Sequence, residues 1–158
     1  MNRAVIVSAQ AAIVVILLVT LLVQAVVIPL FASEAAFVHP EVGWLSGPGM
    51  LWAIAVVACG QAVLICTFRL LGMVSRGRIF QPVAFRWVAA MIAACLVAAA
   101  LTASALIGFF ALGLGPGSVP IALIAAAATF VGVALVLVVM RGLLAQAASF
   151  ERELAVVV

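Results

Sequence analysis

Hydroxyls apart, the side chains in this sequence able to act as acid, base, metal ligand or nucleophile are few: His39, four Glu and three Cys, with no Lys, Asp or Tyr. General acid–base or nucleophilic catalysis needs a base beside a nucleophile and a third group to orient it. Glu34 and Glu41 flank His39, and imidazole with carboxylates suits a divalent cation. Three ligands on one short stretch without a defined spacing read better as a solvated loop. Cys59 and Cys66 are seven residues apart and so share a helical face, with Cys95 further along. A zinc site wants four ligands with paired Cys spacing, so these cysteines read as small buried apolar residues. A phosphate cradle of the glycine-loop kind needs a Lys that the chain lacks. The expectation is a non-enzymatic protein with no catalytic residue, metal site or cofactor.

The elements that would position any site are set by composition. Of the 158 residues 70% are apolar and only 7% charged, with a mean hydropathy of +1.55. A water-soluble chain is nearer half apolar and a quarter charged, so the expected solvent is a lipid bilayer. About 20 apolar residues in a helix cross the roughly 30 Å hydrocarbon layer. Four runs qualify, at about 4–31, 49–71, 87–112 and 119–140, followed by a tail over 141–158. Gly113, Gly115, Pro116, Gly117 and Pro120 break the last long apolar interval into a helical hairpin. The first run is nearly twice the 7–15 residues of a secretory h-region, and reads as a retained anchor rather than a cleaved signal. The fold expected is all-α, a single polytopic domain with four transmembrane helices.

Arginine is held on the cytoplasmic side during insertion. Arg3 precedes the first run, Arg69, Arg76, Arg78 and Arg86 bracket the middle connector, and Arg141 and Arg152 follow the last run. All seven fall on one side, which predicts cytoplasmic termini. Trp44 and Trp52 at the opposite boundary and Phe80, Phe85 and Trp87 at the arginine boundary fit the interfacial preference of aromatic rings. Helix association in lipid relies on small residues. Ala89, Ala93, Ala94, Ala98, Ala99 and Ala103 in the third run, and Ala122, Ala125, Ala126, Thr129 and Gly132 in the fourth, are the packing faces expected. Gln24 and Gln61, the most polar side chains inside the runs, are expected to orient helices through hydrogen bonds.

Two surfaces stand out as contact sites on the arginine side. One is the connector with Arg76, Arg78, Phe80 and Arg86, where Pro82 suits the first turn of the third helix and the arginines meet anionic headgroups. The other is the tail. Past Met140, Leu143, Ala147, Phe150 and Leu154 recur on one face, which predicts that the fourth helix projects beyond the membrane carrying Glu151, Glu153 and Leu154. That end is expected to pack on the connector or on a partner.

The connector Gly77 to Arg86, a Gly followed by Phe80 and a basic residue opening a new helix, resembles the inner loop of the bacterial membrane family called domain of unknown function 2975. So does the ending Arg141-Gly142-Leu143-Leu144 through Phe150-Glu151-Arg152-Glu153-Leu154-Ala155-Val156, with its acidic pair and Val-containing tail. Ala84 and Ala155 stand where many members carry polar residues. The resemblance implies a small polytopic protein of the bacterial inner membrane with no established activity, often encoded beside a small helix-turn-helix regulator. The function expected is therefore a membrane-side modulator or signalling partner of such a cytosolic regulator, with the lipid bilayer as its surroundings and no direct contact to nucleic acid. The alternative is a small transporter or channel for a hydrophobic substrate, working as a homo-oligomer. Ion-coupled transport usually keeps a carboxylate within the membrane, and none lies in the four runs.

Overall fold

The computed structural model describes residues 3–38, 40–75, 82–113 and 117–156. Helix α1 (Arg3–Leu22) passes through a π-helical turn (Val23–Val27) into α2 (Ile28–Val38). A 3₁₀ helix (Pro40–Leu45) leads into α3 (Ser46–Val74), which is followed by α4 (Pro82–Ala111) and α5 (Ser118–Val156). The architecture is all-α, and four stretches are long and apolar enough to cross a membrane: Ala4–Glu34, Gly43–Val74, Val83–Ala111 and Ser118–Ala147. The stretch between the first two apolar runs, read as a solvated loop at Glu34, His39 and Glu41, is helical through Val38 and again from Pro40. Its polar residues are too few to end a helix by themselves.

The prolines explain most of the boundaries. Pro48, Pro82 and Pro120 each lie in the first turn of a helix, where the missing amide hydrogen has no helical acceptor to lose. Pro29 is the exception, because it falls inside the first apolar run. A proline there removes one helical donor and drives its ring at the carbonyl four residues back, Ala25. The chain relieves the clash by opening a wider turn just before it, so that the Ile28 amide donates to the Val23 carbonyl, five residues back. At the other end of the molecule α4 stops where Gly113 adopts a φ of +66°, a left-handed conformation that only Gly takes without strain.

Packing follows the chain. Helix α5 lies mainly on α4, α4 on α3, and α1 and α2 on α3. Along α4 the inward positions are Ala84, Val88, Met91, Cys95, Ala98, Thr102 and Ala105, and along α5 they are Pro120, Leu123, Ala127, Phe130, Ala134 and Leu137. Both sets alternate steps of three and four residues, the 3.5-residue rhythm of helices crossing at about 20°. Ala84 and Ala98 are wholly buried and Thr102 is 1% exposed, so α4 meets its neighbours through small side chains that let backbones approach. The expected face of α4 is correct at Ala98 and Ala99, but Ala93 and Ala103 point outward. On α5 the expected Ala122, Ala125, Thr129 and Gly132 are exposed and only Ala126 is half-buried. The heptad of larger residues has won, because these fill the space beside the small face of α4. Outside this core the surface is hydrocarbon, with Leu18, Leu22, Ile121 and Val139 all more than 60% exposed.

The wholly buried Ala98 gives a direct check of this packing. Ala98→Leu is expected to destabilise the protein by about 1–3 kcal/mol through overpacking, whereas Ala100→Leu on the exposed face should change little. Unfolding of the purified protein in mixed detergent micelles measures both.

Candidate functional site

Three features gather the polar and concave parts of the molecule. At the arginine end, the Arg69 guanidinium of α3 sits 6.0 Å from the centre of the Trp87 ring of α4. A cation over an indole face is attracted by the ring's quadrupole, so the pair ties the two helices on either side of the connector. Arg86, one of the expected contact residues, precedes Trp87 and is exposed. Arg141 on α5 is exposed as well. Arg76, Arg78 and Phe80 lie outside the described residues. Glu151, Glu153 and Leu154 fall on the helical backbone of α5, which continues to Val156, while their side chains are outside what is described. His39 and the side chain of Glu41 are likewise outside, and among the described residues no three His, Cys, Asp or Glu come together as a metal site. Cys66 and Cys95 are buried and Cys59 half-buried, in the packing positions expected of them.

The second feature is a polar cluster in the middle of the apolar helices. The Gln61 amide of α3 donates to Gln24 Oε1 at 2.9 Å and to Thr20 Oγ1 at 3.3 Å. Gln24 in turn donates to the Ile54 carbonyl at 3.1 Å, and Thr20 to the Leu17 carbonyl at 3.0 Å. The two glutamines expected to orient helices do so by bonding one another. Gln24 belongs to the π-helical turn, so the widened turn and the cross-helix amide bonds occupy the same level. These groups are neutral, and their arrangement holds two helices in register rather than carrying charge or moving a proton.

The third feature, which the sequence did not reveal, lies beyond that cluster at the end opposite the arginines. A groove of about 660 Å³ runs between α2 and α3, walled by Ile28, Phe31 and Ala32 on one side and Gly49, Met50 and Ala53 on the other. A smaller hollow of about 330 Å³ lies between α3 and α4, near Ser104, Gly108 and Phe109. Trp52 and Gly49 line both. Trp52, expected as a boundary anchor, is half-buried, and its indole N–H donates to the Leu101 carbonyl of α4 at 2.8 Å. Trp44 is the exposed one of that pair, at 64%. The signal available for this region was Pro29 inside an apolar run, since sharp changes of helix course start at prolines and π turns.

Residues 30–158, beginning just after the π-helical turn, match the family described as "Protein of unknown function (DUF2975)". The chain belongs to the DUF2975 family. The match takes in α3, α4, α5 and the connectors between them, together with most of α2, and so includes the Arg69–Trp87 pair, the smaller hollow and the larger one apart from Val27 and Ile28; α1 and Gln24 precede it. No curated protein and no solved structure matches the chain. DUF2975 membership brings no activity with it, so any role for the chain has to rest on its own geometry.

The amide cluster is open to a double-mutant cycle. Gln24→Leu and Gln61→Leu are each expected to cost on the order of 1 kcal/mol or less, with a coupling no greater than about 1.7 kcal/mol, the range of interhelical bonds between membrane helices. Additive losses in detergent unfolding would mean that the two amides do not work as a pair.

Proposed function

We propose that this DUF2975 protein is a single four-helix unit of the bacterial plasma membrane with both termini in the cytoplasm, acting without catalysis as a membrane-side modulator of a cytosolic regulator. The observation that carries the reading is the length of α5. Its 39 residues reach about 58 Å at 1.5 Å per residue, nearly twice the hydrocarbon thickness of about 30 Å. The stretch from Arg141 to Val156 extends for about 22 Å, enough to stand clear of the headgroups as a docking element. By helix length Arg69, Arg86 and Arg141 fall at one end of the described helices, in keeping with arginine retained in the cytoplasm. In this reading Arg76, Arg78, Phe80 and Arg86 act together as a basic contact surface. They meet anionic lipid while Glu151, Glu153 and Leu154 meet the partner. A helix-turn-helix regulator is the partner that the family resemblance implies.

The runner-up is a carrier for a hydrophobic substrate, which the apolar groove favours. A groove lined from one half of the helices gives no continuous path through them, and this makes it the weaker of the two.

Two measurements test the proposal. Fusions of a cytoplasm-dependent fluorescent protein and a periplasm-dependent phosphatase after Ser75 and after Gly117 should report the cytoplasm at the first and the periplasm at the second; the reverse pattern would overturn the orientation. Affinity purification in mild detergent should recover the cytosolic regulator with the full chain and lose it when residues 150–158 are deleted. Recovery that ignores the tail removes the docking role, and substrate-dependent flux in liposomes made from the isolated protein favours the carrier instead.

A further inference from the structure

We propose that the amide cluster of Thr20, Gln24 and Gln61 is a binding site for a hydroxyl group inside the membrane, carried by a water molecule or by a lipid-soluble molecule such as a long-chain alcohol. The inference rests on the membrane-spanning reading and adds a ligand to it.

The cluster has more acceptors than donors to meet them. A glutamine amide carries two N–H hydrogens and an oxygen, and a threonine hydroxyl one O–H. Gln61 directs its hydrogens to Gln24 Oε1 and Thr20 Oγ1. Thr20 directs its own to the Leu17 carbonyl, and Gln24 gives one to the Ile54 carbonyl. Among the described residues no donor reaches Gln61 Oε1. No side-chain polar atom there is both sealed and unpartnered, so this oxygen is open to an incoming molecule.

A second open oxygen comes from the backbone. The Gln24 carbonyl would take the amide of residue 28 in an α-helix or that of residue 29 in a π turn. The Ile28 amide goes to Val23 instead, and Pro29 has no N–H to give. The turn and the proline together leave an acceptor at the residue whose side chain joins the cluster. π turns recur at functional sites, and here the turn supplies an oxygen that a regular helix would have used.

These oxygens lie deep. Thr20, Gln24 and Gln61 are each ten or more residues from the ends of the stretches Ala4–Glu34 and Gly43–Val74. That is about 15 Å of helix, half of a hydrocarbon layer about 30 Å thick. An acceptor without a donor is costly in such a medium, and a molecule bringing an O–H supplies the bond that hydrocarbon withholds. The second N–H of Gln24 offers the incoming oxygen a donor in return. A hydroxyl both donates and accepts, which matches this pattern. An ionised carboxylate or phosphate only accepts and would face oxygens like its own. A hard metal cation gathers six or more oxygens, and two are open.

Solid-state NMR of the full chain in phosphatidylglycerol bilayers, with its glutamines and threonines isotopically labelled, tests the site. Water protons are expected to transfer magnetisation to the Gln24 and Gln61 amides and to leave Thr102 untouched, because Thr102 is buried with its hydroxyl on the Ala98 carbonyl. Where a lipid-soluble hydroxyl is the source, the transfer comes instead from hexadecanol labelled beside its hydroxyl and added to the same bilayers. Either contact supports the site and names its source, and the absence of both overturns it. Gln61→Leu should abolish the contact at Gln24, with Gln61→Met in its place if the first does not accumulate. Pro29→Ala gives residue 29 an N–H and so offers the Gln24 carbonyl a helical donor, and the contact at Gln24 should weaken. Contacts undiminished in both variants overturn the assignment to these oxygens. Self-association that depends on Gln61, with no hydroxyl contact, overturns it in favour of a second copy. Leu18, 62% exposed on the outer surface, separates the two readings. Water reaching Leu18 overturns the membrane reading itself, whereas a dry Leu18 beside dry glutamines overturns only this site.

Discussion

The constraint on which the rest of the structure depends is that polar groups within long apolar helices must find partners inside the protein, because an apolar medium supplies none. The hydroxyls obey it locally. Ser8, Thr67, Thr102, Ser104 and Thr129 each return a proton to a carbonyl three or four residues earlier on the same helix. Longer side chains cannot reach their own helix so easily and are drawn across to a neighbour. That is why Gln61 bonds Gln24 and why Trp52 bonds Leu101, and these bonds fix the register in which the first apolar run, α3 and α4 stand. Apolar packing alone would leave the register loose, since one Ala-rich face slides past another at little cost. Specific positions therefore come from a handful of polar atoms and close contact from the small residues around them.

The two ends of the α3–α4 pair are held differently. Arg69 over Trp87 clamps one end by electrostatics, with Arg69 exposed. Trp52 on Leu101 clamps the other by a single neutral hydrogen bond within apolar surroundings. A charge suits the first place and would be costly at the second. The result is an antiparallel pair fastened at both ends, against which α1 and α2 lie on one flank and α5 on the other.

Much of this was legible in the sequence, and for identifiable reasons. Long apolar intervals fix the number and approximate extent of the helices because each must exceed a known thickness. Pro82 marks the start of α4 and the Gly113 region its end because of backbone geometry alone. The two glutamines announced that they needed partners, although nothing in one dimension says which partner. The packing faces were less legible. Ala occurs on every side of α4 and α5, so a stripe at four-residue spacing carries little information, and the face in use on α5 is marked by Leu123, Phe130 and Leu137, residues of types that elsewhere face outward. The groove was not legible at all, because a hollow belongs to the spacing between elements and to no residue in particular. Arg76, Arg78 and Phe80 lie outside the described residues, and the side chains of Glu151, Glu153 and Leu154 are not described, so the contact surface assigned to them is a reading of the sequence.

The extra residue taken up at Val23–Val27 has a rotational meaning. One residue of an α-helix turns the chain by about 100°, so everything from Ile28 onward is out of phase with the stripe that Arg3–Leu22 presents. Periodicity counted from the start of the chain assigns residues such as Phe31 and Ala32 to the wrong azimuth. Two relatives differing by a single inserted or deleted residue at this point would show the same hydropathy profile and yet turn different side chains toward their neighbours.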